Sequence, residues 1–328
     1  MPTAMKALQL VAPGRAEIVD VPVPRIGDDE VLVEVRVCHT CTQWDITTWR
    51  GVDIFEREGH PRYPLAPGAT GHELAGLIVG AGRNVKRLKV GDHVAYWGSP
   101  PGTVREHEGG GYAQFYAAHE RSFVPYPKDF PLEQAALTEI FTCLTAAIFK
   151  AGEVVGKRVG VSGLGPAGLI AVQALRARGA DEVVAFDIDP ARLELARALG
   201  AHQAIVPGST EWQELLSGER NLDLAIDCIG VAPSVNNLIR VTRDHVIIFG
   251  VAHGQIVFGM DAWRKGLKLE ANGPRPEKGA YYARHLLTSG QVRVDSFIGA
   301  RLTLEEYATG VQLLIDKKAV KVAFDPQR

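Results

Sequence analysis

One segment of 30 residues, from Arg158 to Asp187, constrains the fold more than any other part of the chain. It begins with a short apolar run, turns at a glycine-rich stretch with the sequence GLGPAG, and continues with apolar residues at helical spacing. A second apolar run, at residues 183–186, ends at Asp187, nineteen residues beyond the last glycine of the turn. Runs that alternate in this way predict a strand–helix–strand unit.

The glycine-rich turn, residues 163–168, has the composition of a pyrophosphate-binding loop. One glycine permits the tight bend, one lets a pyrophosphate approach the backbone, and one lets the helix pack against the strand. The start of the helix adds free N–H groups and a partial positive charge. The competing interpretation is a glycine-rich turn in some other doubly wound sheet, but here strands, turn, helix and acid are all in register. We therefore expect a dinucleotide site.

Asp187 indicates which dinucleotide would bind. A carboxylate at the carboxyl end of the second strand can accept hydrogen bonds from both hydroxyls of an adenosine ribose, and it would repel a 2′-phosphate. This position favours NAD over NADP. The residues expected to form the cofactor site are Gly163, Leu164, Gly165, Pro166, Ala167, Gly168, Asp187, Ile188, Arg192, Cys228, Ile229, Gly250 and Val251.

The rest of the chain divides into two kinds of pattern. Beyond Asp187, helical segments alternate with short apolar strands, which predicts a doubly wound parallel sheet of the Rossmann type. Before residue 130, short strands are separated by Gly, Pro and Asp turns, which predicts a β-barrel-like domain. Residues 132–150 are apolar and alanine-rich and predict one helix, with Glu139 inside it.

Composition excludes several classes of protein. A length of 328 residues suits about two domains. The formal net charge of -2 argues against nucleic-acid binding, which needs a basic surface. No basic N-terminal segment precedes a long apolar run, and no apolar run approaches the roughly 20 residues of a membrane helix, so we expect a cytoplasmic protein. Four cysteines are too few for a disulfide scaffold in a chain of this size.

Four residues have the side chains that zinc takes as ligands: Cys41, His72, Glu73 and Glu139. Each has an ordinary explanation, because a cysteine is usually a small buried residue, a His-Glu pair is often a surface turn, and a helical glutamate is usually solvated. Their presence in a chain with a predicted nicotinamide site makes a metal centre the better interpretation.

The chain resembles the zinc-dependent medium-chain alcohol and polyol dehydrogenases over essentially its whole length. The resemblance rests on VLVEVRV before a cysteine, on GHELAGLIVGAGRNVKRLKVGDHVA, on GGGYAQF, on GLGPAG and on the closing LTLEEYATGVQLL. It implies a GroES-like catalytic domain at 1–141 and 274–328, with a Rossmann NAD-binding domain at 142–273. It also implies a homodimer or homotetramer.

The resemblance assigns the metal ligands. The family's cysteine ligand lies ten residues after the start of the VLV run, which is Cys41, and Cys38 falls three residues short of it. The histidine ligand corresponds to His72, and Glu73 is the carboxylate that the family keeps near the metal. In polyol dehydrogenases the third protein ligand is a glutamate, at the position of Glu139.

Two departures from the family affect the predicted site. Gln43 stands where the family has a hydroxyl that begins a proton relay, and one residue is inserted before Asp45. The relay could then use Thr42, Asp45 or water, and a second register, with Cys38 as ligand and Thr40 as relay, remains open. Many members also carry a four-cysteine lobe for a structural zinc, but residues 97–111 contain no cysteine. One catalytic zinc per chain is therefore expected.

The resemblance implies hydride transfer between an alcohol and NAD, with zinc polarising the oxygen. Two alternatives are a zinc-free medium-chain reductase of quinones or enones, which needs none of these ligands, and a non-catalytic NAD-binding protein, which would have lost one. A glutamate ligand favours polyols, sugars or amino alcohols, whereas Trp44, Trp49 and Trp97 would suit a more apolar pocket. The expected subunit contact spans 255–269, beside an apolar last strand around HVIIFGV.

Overall fold

The computed structural model describes residues 2–103, 109–218 and 221–328. It divides into two compact units, Met1–Ile140 with Val294–Arg328, and Phe141–Arg293. Each unit has its own hydrophobic core. The chain therefore leaves the first unit once, builds the second, and returns to complete the first.

The strands and helices are numbered separately in chain order. The strands are β1 (Ala4–Ala12), β2 (Arg15–Pro22), β3 (Glu30–His39), β4 (Glu73–Ala81), β5 (His93–Tyr96), β6 (Phe115–His119), β7 (Phe123–Tyr126), β8 (Arg158–Ser162), β9 (Glu182–Phe186), β10 (Gln203–Ile205), β11 (Leu222–Asp227), β12 (Thr242–Ile248), β13 (Lys268–Ala271), β14 (Ile298–Thr303) and β15 (Lys321–Asp325). The helices are α1 (Thr42–Trp49), α2 (Leu132–Ala135), α3 (Thr138–Lys150), α4 (Pro166–Ala177), α5 (Pro190–Ala198), α6 (Thr210–Leu216), α7 (Ala232–Val241), α8 (Met260–Lys265), α9 (Glu277–Thr288) and α10 (Tyr307–Ile315).

The first unit is built on strand β3. Its sheet has the order β14-β15-β3-β4-β5-β7, β6 also pairs with β3, and β1 and β2 form a separate antiparallel pair. Val31, Val33 and Val35 of β3 pack in one hydrophobic cluster, and Leu32, on the opposite face, packs in another. Because successive side chains of a strand alternate between faces, β3 is buried on both sides and fixes the register of its neighbours.

The second unit is a six-stranded parallel sheet with the order β10-β9-β8-β11-β12-β13. The first strand of this unit in sequence, β8, lies beside β11, so the strand order reverses between them. This is the strand order of a Rossmann dinucleotide-binding fold, in which ligands bind outside the carboxyl ends of the strands at the reversal. The parallel sheet confirms the predicted doubly wound domain of the Rossmann type.

Residues 42–49, which follow β3, form helix α1, an element that the sequence analysis did not predict. The structure also differs from the sequence-based expectations in two elements. The single helix expected at 132–150 is two helices, α2 and α3, and the hydroxyl of Thr138 donates to the carbonyl of Ala135 at the break. The strand around HVIIFGV is not the sheet edge, because β13 pairs with β12 and takes the edge position.

The domain division also differs from the expected boundary at 273/274, because residues 274–293 cluster with the second unit. The reason is the packing of α9 on α3: a Cβ on Gly279 would lie 2.0 Å from the Thr145 hydroxyl, and the ring of Tyr282 lies 5.4 Å from that of Phe149. This contact leaves no room between the helices and ties α9 to the second unit.

One stretch in the described part of the chain, Leu132–Lys150, is long and apolar enough to cross a membrane. Its 19 residues approach the roughly 20 of a membrane helix, a length that we expected no apolar run to approach. However, 67% of it is buried inside the protein, as in the core helix of a globular domain. Burial against protein removes the need for a lipid environment.

Candidate active site

Three chain segments meet at one end of the large sheet of the first unit. His39, at the end of β3, pairs with Glu73, the first residue of β4, and with Ala323 of β15. Cys41 follows the end of β3, and Lys321 begins β15. The pairing of these strands therefore brings polar side chains from distant parts of the sequence together at one end of the sheet.

The four predicted metal ligands are brought together here. Ligand atoms of Cys41, His72 and Glu73 all lie within 4.8 Å of one another. Oε2 of Glu139, in the first turn of α3, lies 4.0 Å from Nε2 of His72. Thiolate, imidazole and carboxylate are the donors that zinc takes in proteins.

Cys38 occupies a different environment from Cys41. Its side chain is fully buried in the core of the first unit, and its thiol lies 3.9 Å from the carbonyl of His39. A Cβ on Gly71 would lie 3.0 Å from the Cys38 sulfur. The sulfur is therefore enclosed by the backbone and core side chains and does not belong to the group formed by Cys41, His72 and Glu73.

A buried lysine, not predicted from the sequence, contacts the candidate metal centre. Lys321 is 1% exposed, and its ammonium donates to Oε1 of Glu73 and, at 2.6 Å, to the carbonyl of Thr40. Burial raises the pKa of Glu73 to about 7, and the positive charge of Lys321 opposes this effect. The other oxygen, Oε2, is buried and has no hydrogen-bond partner among the described residues.

The donor set fits a divalent cation. Burial, together with the nearby carboxylate of Glu73, raises the pKa of the Cys41 thiol to about 12. A buried thiolate therefore needs a strong positive charge beside it, which a bound zinc ion provides by displacing the proton. A thiol, an imidazole and a carboxylate whose ligand atoms lie close together, with one carboxylate oxygen unpartnered, fit such an ion.

Asp45 holds the segments that carry the candidate ligands. Its carboxylate is fully buried and accepts hydrogen bonds from the backbone N–H of Cys41 at 2.7 Å and from the hydroxyls of Thr70 at 2.9 Å, Tyr112 at 2.9 Å and Tyr307 at 2.7 Å. Burial raises the pKa of Asp45, and these donors oppose the shift. With four donors and no exposure to solvent, this carboxylate positions the cysteine loop rather than exchanging protons.

The other candidates for a proton relay have different surroundings. The hydroxyl of Thr42 is partly exposed and lies 3.5 Å from the carbonyl of Val320, whereas Gln43 is exposed. Thr40 is fully buried, and its hydroxyl accepts a hydrogen bond from the backbone N–H of Val322 at 3.0 Å. Among these residues, Thr42 is the hydroxyl with access to solvent.

The three tryptophans suggested as pocket residues also differ in their surroundings. Trp97 is 1% exposed and donates its indole N–H to the carbonyl of Arg121 at 2.7 Å, so it is a core residue. Trp49 packs edge-on against Tyr307. The ring of Trp44 contacts a candidate ligand, with its centroid 6.3 Å from that of His72.

Residues 97–111, in which the structural-zinc lobe of the family is missing, are described only in part. Residues 104–108 lie outside the described residues. The expectation of a single zinc therefore rests on the absence of cysteine from this stretch of sequence.

The glycines of the turn at 163–168 have the expected physical roles. Gly163 has a φ of +88°, and a Cβ there would lie 2.3 Å from Ile229 at the end of β11. Gly165 caps α4 and has open space where a side chain would be. A Cβ on Gly168 would lie 1.8 Å from the carbonyl of Gly163. The turn therefore bends tightly, leaves one face open and packs the helix closely on the strand.

Asp187 is fixed at the carboxyl end of β9. Its carboxylate accepts from the backbone N–H of Leu164 at 2.7 Å and from that of Asp189 at 3.0 Å. Arg192 lies close enough for electrostatic attraction to both aspartates, and Ile188 is 72% exposed. The acid is thus joined directly to the glycine-rich turn.

A second carboxylate, not predicted from the sequence, shapes the opposite side of the candidate dinucleotide site. Asp227, at the end of β11, is buried and accepts from the backbone N–H of Gly230 at 2.7 Å and from the hydroxyl of Ser234 at 2.5 Å. It thereby holds the loop that contains Cys228 and Ile229. A Cβ on Gly230 would lie 2.1 Å from the carbonyl of Val251, and one on Gly250 would lie 2.2 Å from the nitrogen of Gly230.

Comparison with known proteins gives the family. The model for the alcohol dehydrogenase GroES-like domain matches residues 27–128, and the zinc-binding dehydrogenase model matches residues 166–271. Together these matches cover more than half of the chain. L-threonine 3-dehydrogenase of Symbiobacterium thermophilum is 28% identical, with 99% of each chain covered. Sorbitol dehydrogenase of Halalkalibacterium halodurans is 27% identical, with 95% of this chain and 96% of the relative covered.

Solved structures agree with this assignment. Galactitol-1-phosphate dehydrogenase from Escherichia coli superposes with a TM-score of 0.83 at 25% identity, covering 98% of this chain and 100% of that one. A zinc-binding dehydrogenase from Sinorhizobium meliloti, bound to NADP, has a TM-score of 0.84 at 24% identity, covering 99% and 100%. The fold, the two domain matches and the full-length relatives lead to one assignment: the chain belongs to the zinc-type medium-chain alcohol and polyol dehydrogenases.

Proposed function

We propose that this dehydrogenase is NAD-linked and oxidises an alcohol at a single zinc ion held by Cys41, His72 and Glu139, with Glu73 beside the metal. The observation that supports this most is the approach of Cys41, His72 and Glu73 ligand atoms to within 4.8 Å, together with the unpartnered Oε2 of Glu73. A zinc ion bound there supplies a Lewis acid, which lowers the pKa of an alcohol oxygen, and bound NAD supplies the carbon that accepts hydride.

The residues around the metal centre have separate roles in this proposal. Cys41 contributes the negative charge that retains the metal. Lys321 pairs with one oxygen of Glu73, so the other oxygen would be available to a bound cation while the buried charge keeps its partner. Asp45 orients the loop of Cys41, and Thr42 is the hydroxyl assigned to carry a proton towards solvent.

The choice of NAD rests on Asp187. Two backbone N–H groups fix the position of its carboxylate. An ionised acid can accept from the ribose hydroxyls, whereas a 2′-phosphate would face a like charge.

Two further assignments accompany the proposed activity. The protein is proposed to act in the cytoplasm as a homodimer or homotetramer. The second unit supports self-association, because β13 is an edge strand and the segment before it exposes apolar side chains, Val257, Phe258, Met260 and Trp263. Unpaired strand edges and contiguous apolar patches are typical of subunit contacts.

Metal analysis combined with an activity assay tests the proposal. We expect the purified protein to contain about one zinc per chain and to reduce NAD with at least one member of a panel containing primary alcohols, secondary alcohols and polyols. Removal of zinc with a chelator should abolish this activity, and added zinc should restore it.

Three results would contradict the proposal. Turnover of quinones or enones by metal-free protein would identify a zinc-free reductase. NAD binding without turnover of any alcohol by zinc-loaded protein would identify a binding protein. Two zinc ions per chain would contradict the single-site assignment.

A further inference from the structure

Two aromatic rings continue outward from the candidate metal centre. The ring of Trp44, on α1, meets His72 edge-on at 6.3 Å and an interplanar angle of 73°. The same ring meets Phe55 edge-on at 5.8 Å and 75°. Trp44 is partly exposed and Phe55 is 53% exposed. The two rings therefore form an accessible apolar surface that begins at a candidate zinc ligand.

The side of this surface away from the metal is held in place by a charged pair. The guanidinium carbon of Arg57 lies 5.5 Å from the centre of the Phe55 ring. Asp53, which is nearly buried, accepts from the side chain of Arg57 at 2.7 and 3.0 Å and from the backbone N–H groups of Phe55 and Arg57. Phe55 is thus exposed but fixed, because its own backbone and its neighbour are bound to one carboxylate.

The carboxylates nearest to Trp44 in sequence are already occupied. Both oxygens of Asp45 accept two hydrogen bonds each within the first unit. Both oxygens of Asp53 accept from Arg57. A hydroxyl group of a polyol needs an acceptor or donor to replace water, and neither of these carboxylates is available for it.

We infer that Trp44 and Phe55 determine substrate specificity by selecting an alcohol whose carbinol carbon carries a flat apolar group. This inference rests on the proposed function. A ring bonded to the carbinol carbon would lie within a few ångströms of the metal ligands, where it can pack against Trp44 and Phe55. Aromatic surfaces of this kind prefer offset or edge-on ring contacts and exclude water from both partners.

Matched pairs of compounds isolate the effect of the ring. 1-Phenylethanol and 2-propanol differ by one phenyl group, and sorbitol represents the polyols. For the wild type we expect kcat/KM to be at least about tenfold higher for 1-phenylethanol than for 2-propanol or sorbitol. Phe55→Ala should lower the ratio of kcat/KM for 1-phenylethanol to kcat/KM for 2-propanol severalfold, and Trp44→Ala should lower this ratio by about tenfold. Neither variant should change the zinc content. Phe55 is exposed, so its variant keeps the test valid if Trp44→Ala does not fold.

A control and a binding measurement complete the test. Gln43→Ala removes an exposed polar side chain from the same helix and should change the ratio less than about twofold. Benzohydroxamate and acetohydroxamate are two zinc-binding compounds that also differ by a phenyl group. Benzohydroxamate should bind zinc-loaded wild type with a Kd about tenfold lower than that of acetohydroxamate, and Trp44→Ala should remove this difference.

The possible results separate this inference from the proposed function. Preference for sorbitol, or an unchanged substrate ratio in Trp44→Ala and Phe55→Ala, overturns the inference and leaves a zinc alcohol dehydrogenase in place. Equal Kd values for the two hydroxamates overturn it in the same way. Absence of zinc and of all alcohol oxidation overturns the proposed function, and the inference with it.

Discussion

The ammonium of Lys321 donates to Oε1 of Glu73, while Oε2 of the same carboxylate has no hydrogen-bond partner among the residues that the structure describes. Both side chains are almost completely buried. One half of the carboxylate is thus satisfied by protein and the other half is not, in a side chain whose carboxylate lies beside Cys41 and His72. An open acceptor inside a protein is unfavourable unless a cation or water occupies it.

Replacing Lys321 with Met should destabilise the metal-free protein by about 3–5 kcal/mol, because it leaves the Glu73 carboxylate buried without its partner. Lys318→Met provides the control, since Lys318 is an exposed lysine paired with Asp316 and should cost no more than about 1 kcal/mol. Urea unfolding in the presence of a chelator measures both variants. A loss below about 1 kcal/mol for Lys321→Met would show that the pair does not stabilise the site.

His39 should make the protein sensitive to acid. Burial lowers the pKa of His39 to about 4, and its hydrogen bond to the Glu133 carbonyl opposes the shift only in part. In the unfolded chain the pKa is about 6.5, so the unfolded state binds the proton first as the pH falls. The stabilisation is complete above pH 6.5 and is lost progressively as the pH falls towards 4, by about 3 kcal/mol.

Unfolding free energies of His39→Gln and wild type, measured between pH 7.5 and 4, test this expectation. The variant should lack the part of the pH dependence that His39 contributes, whereas the exposed-residue control His60→Gln should follow the wild type. Identical pH profiles for His39→Gln and the wild type would mean that His39 titrates normally.

Asp187→Ser should weaken the preference for NAD. The substitution removes the acceptor for ribose hydroxyls and for the N–H of Leu164, and it removes the charge that repels a 2′-phosphate. We expect the ratio of kcat/KM for NAD to that for NADP to fall at least about tenfold. Asp181→Asn, at an exposed acid of the same unit, should leave the ratio unchanged. A wild-type preference for NADP would refute the role of Asp187 directly.

Trp263→Glu should disrupt self-association. Trp263 is 71% exposed in the segment before the edge strand β13, and a charge there would remain unpaired at an apolar contact. By light scattering at micromolar concentration we expect a dimer or tetramer for the wild type and a smaller species for the variant. Val155→Glu changes an equally exposed apolar residue elsewhere in the unit and should not alter the mass. A monomeric wild type would contradict the expectation.

The parts of the fold that the sequence predicted are those fixed by local rules. The glycines at 163–168 and the acid at Asp187 belong to one short turn motif, in which close approaches exclude a side chain at Gly163 and Gly168. The alternation in β3 also predicts a buried strand, because its two faces pack in separate clusters. The four candidate ligands were identified by residue type and by resemblance. Their proximity in space depends on the register in which the strands of the sheet pair.

The features that sequence reasoning missed depend on distant contacts. Helix α1 is rich in Thr, Trp and Ile, which are weak helix formers, and its first turn is fixed by the contacts of Asp45 with Tyr112 and Tyr307. Lys321 lies 248 positions from Glu73, and a lysine that begins a strand is usually solvated. Its only local signal is the apolar strand that follows it, which predicts burial of neighbouring positions.

The identity of the cysteine ligand is the central claim about the active site, and zinc analysis of two variants tests it most directly. Serine lacks the charge and softness of a thiolate, so Cys41→Ser should lose most of its zinc and all turnover. Cys38→Ser should keep a zinc content close to wild type, with at most a modest loss of stability, because its sulfur is enclosed in the core. Loss of zinc from Cys38→Ser with retention by Cys41→Ser would contradict the assignment and would give the relay role to Thr40.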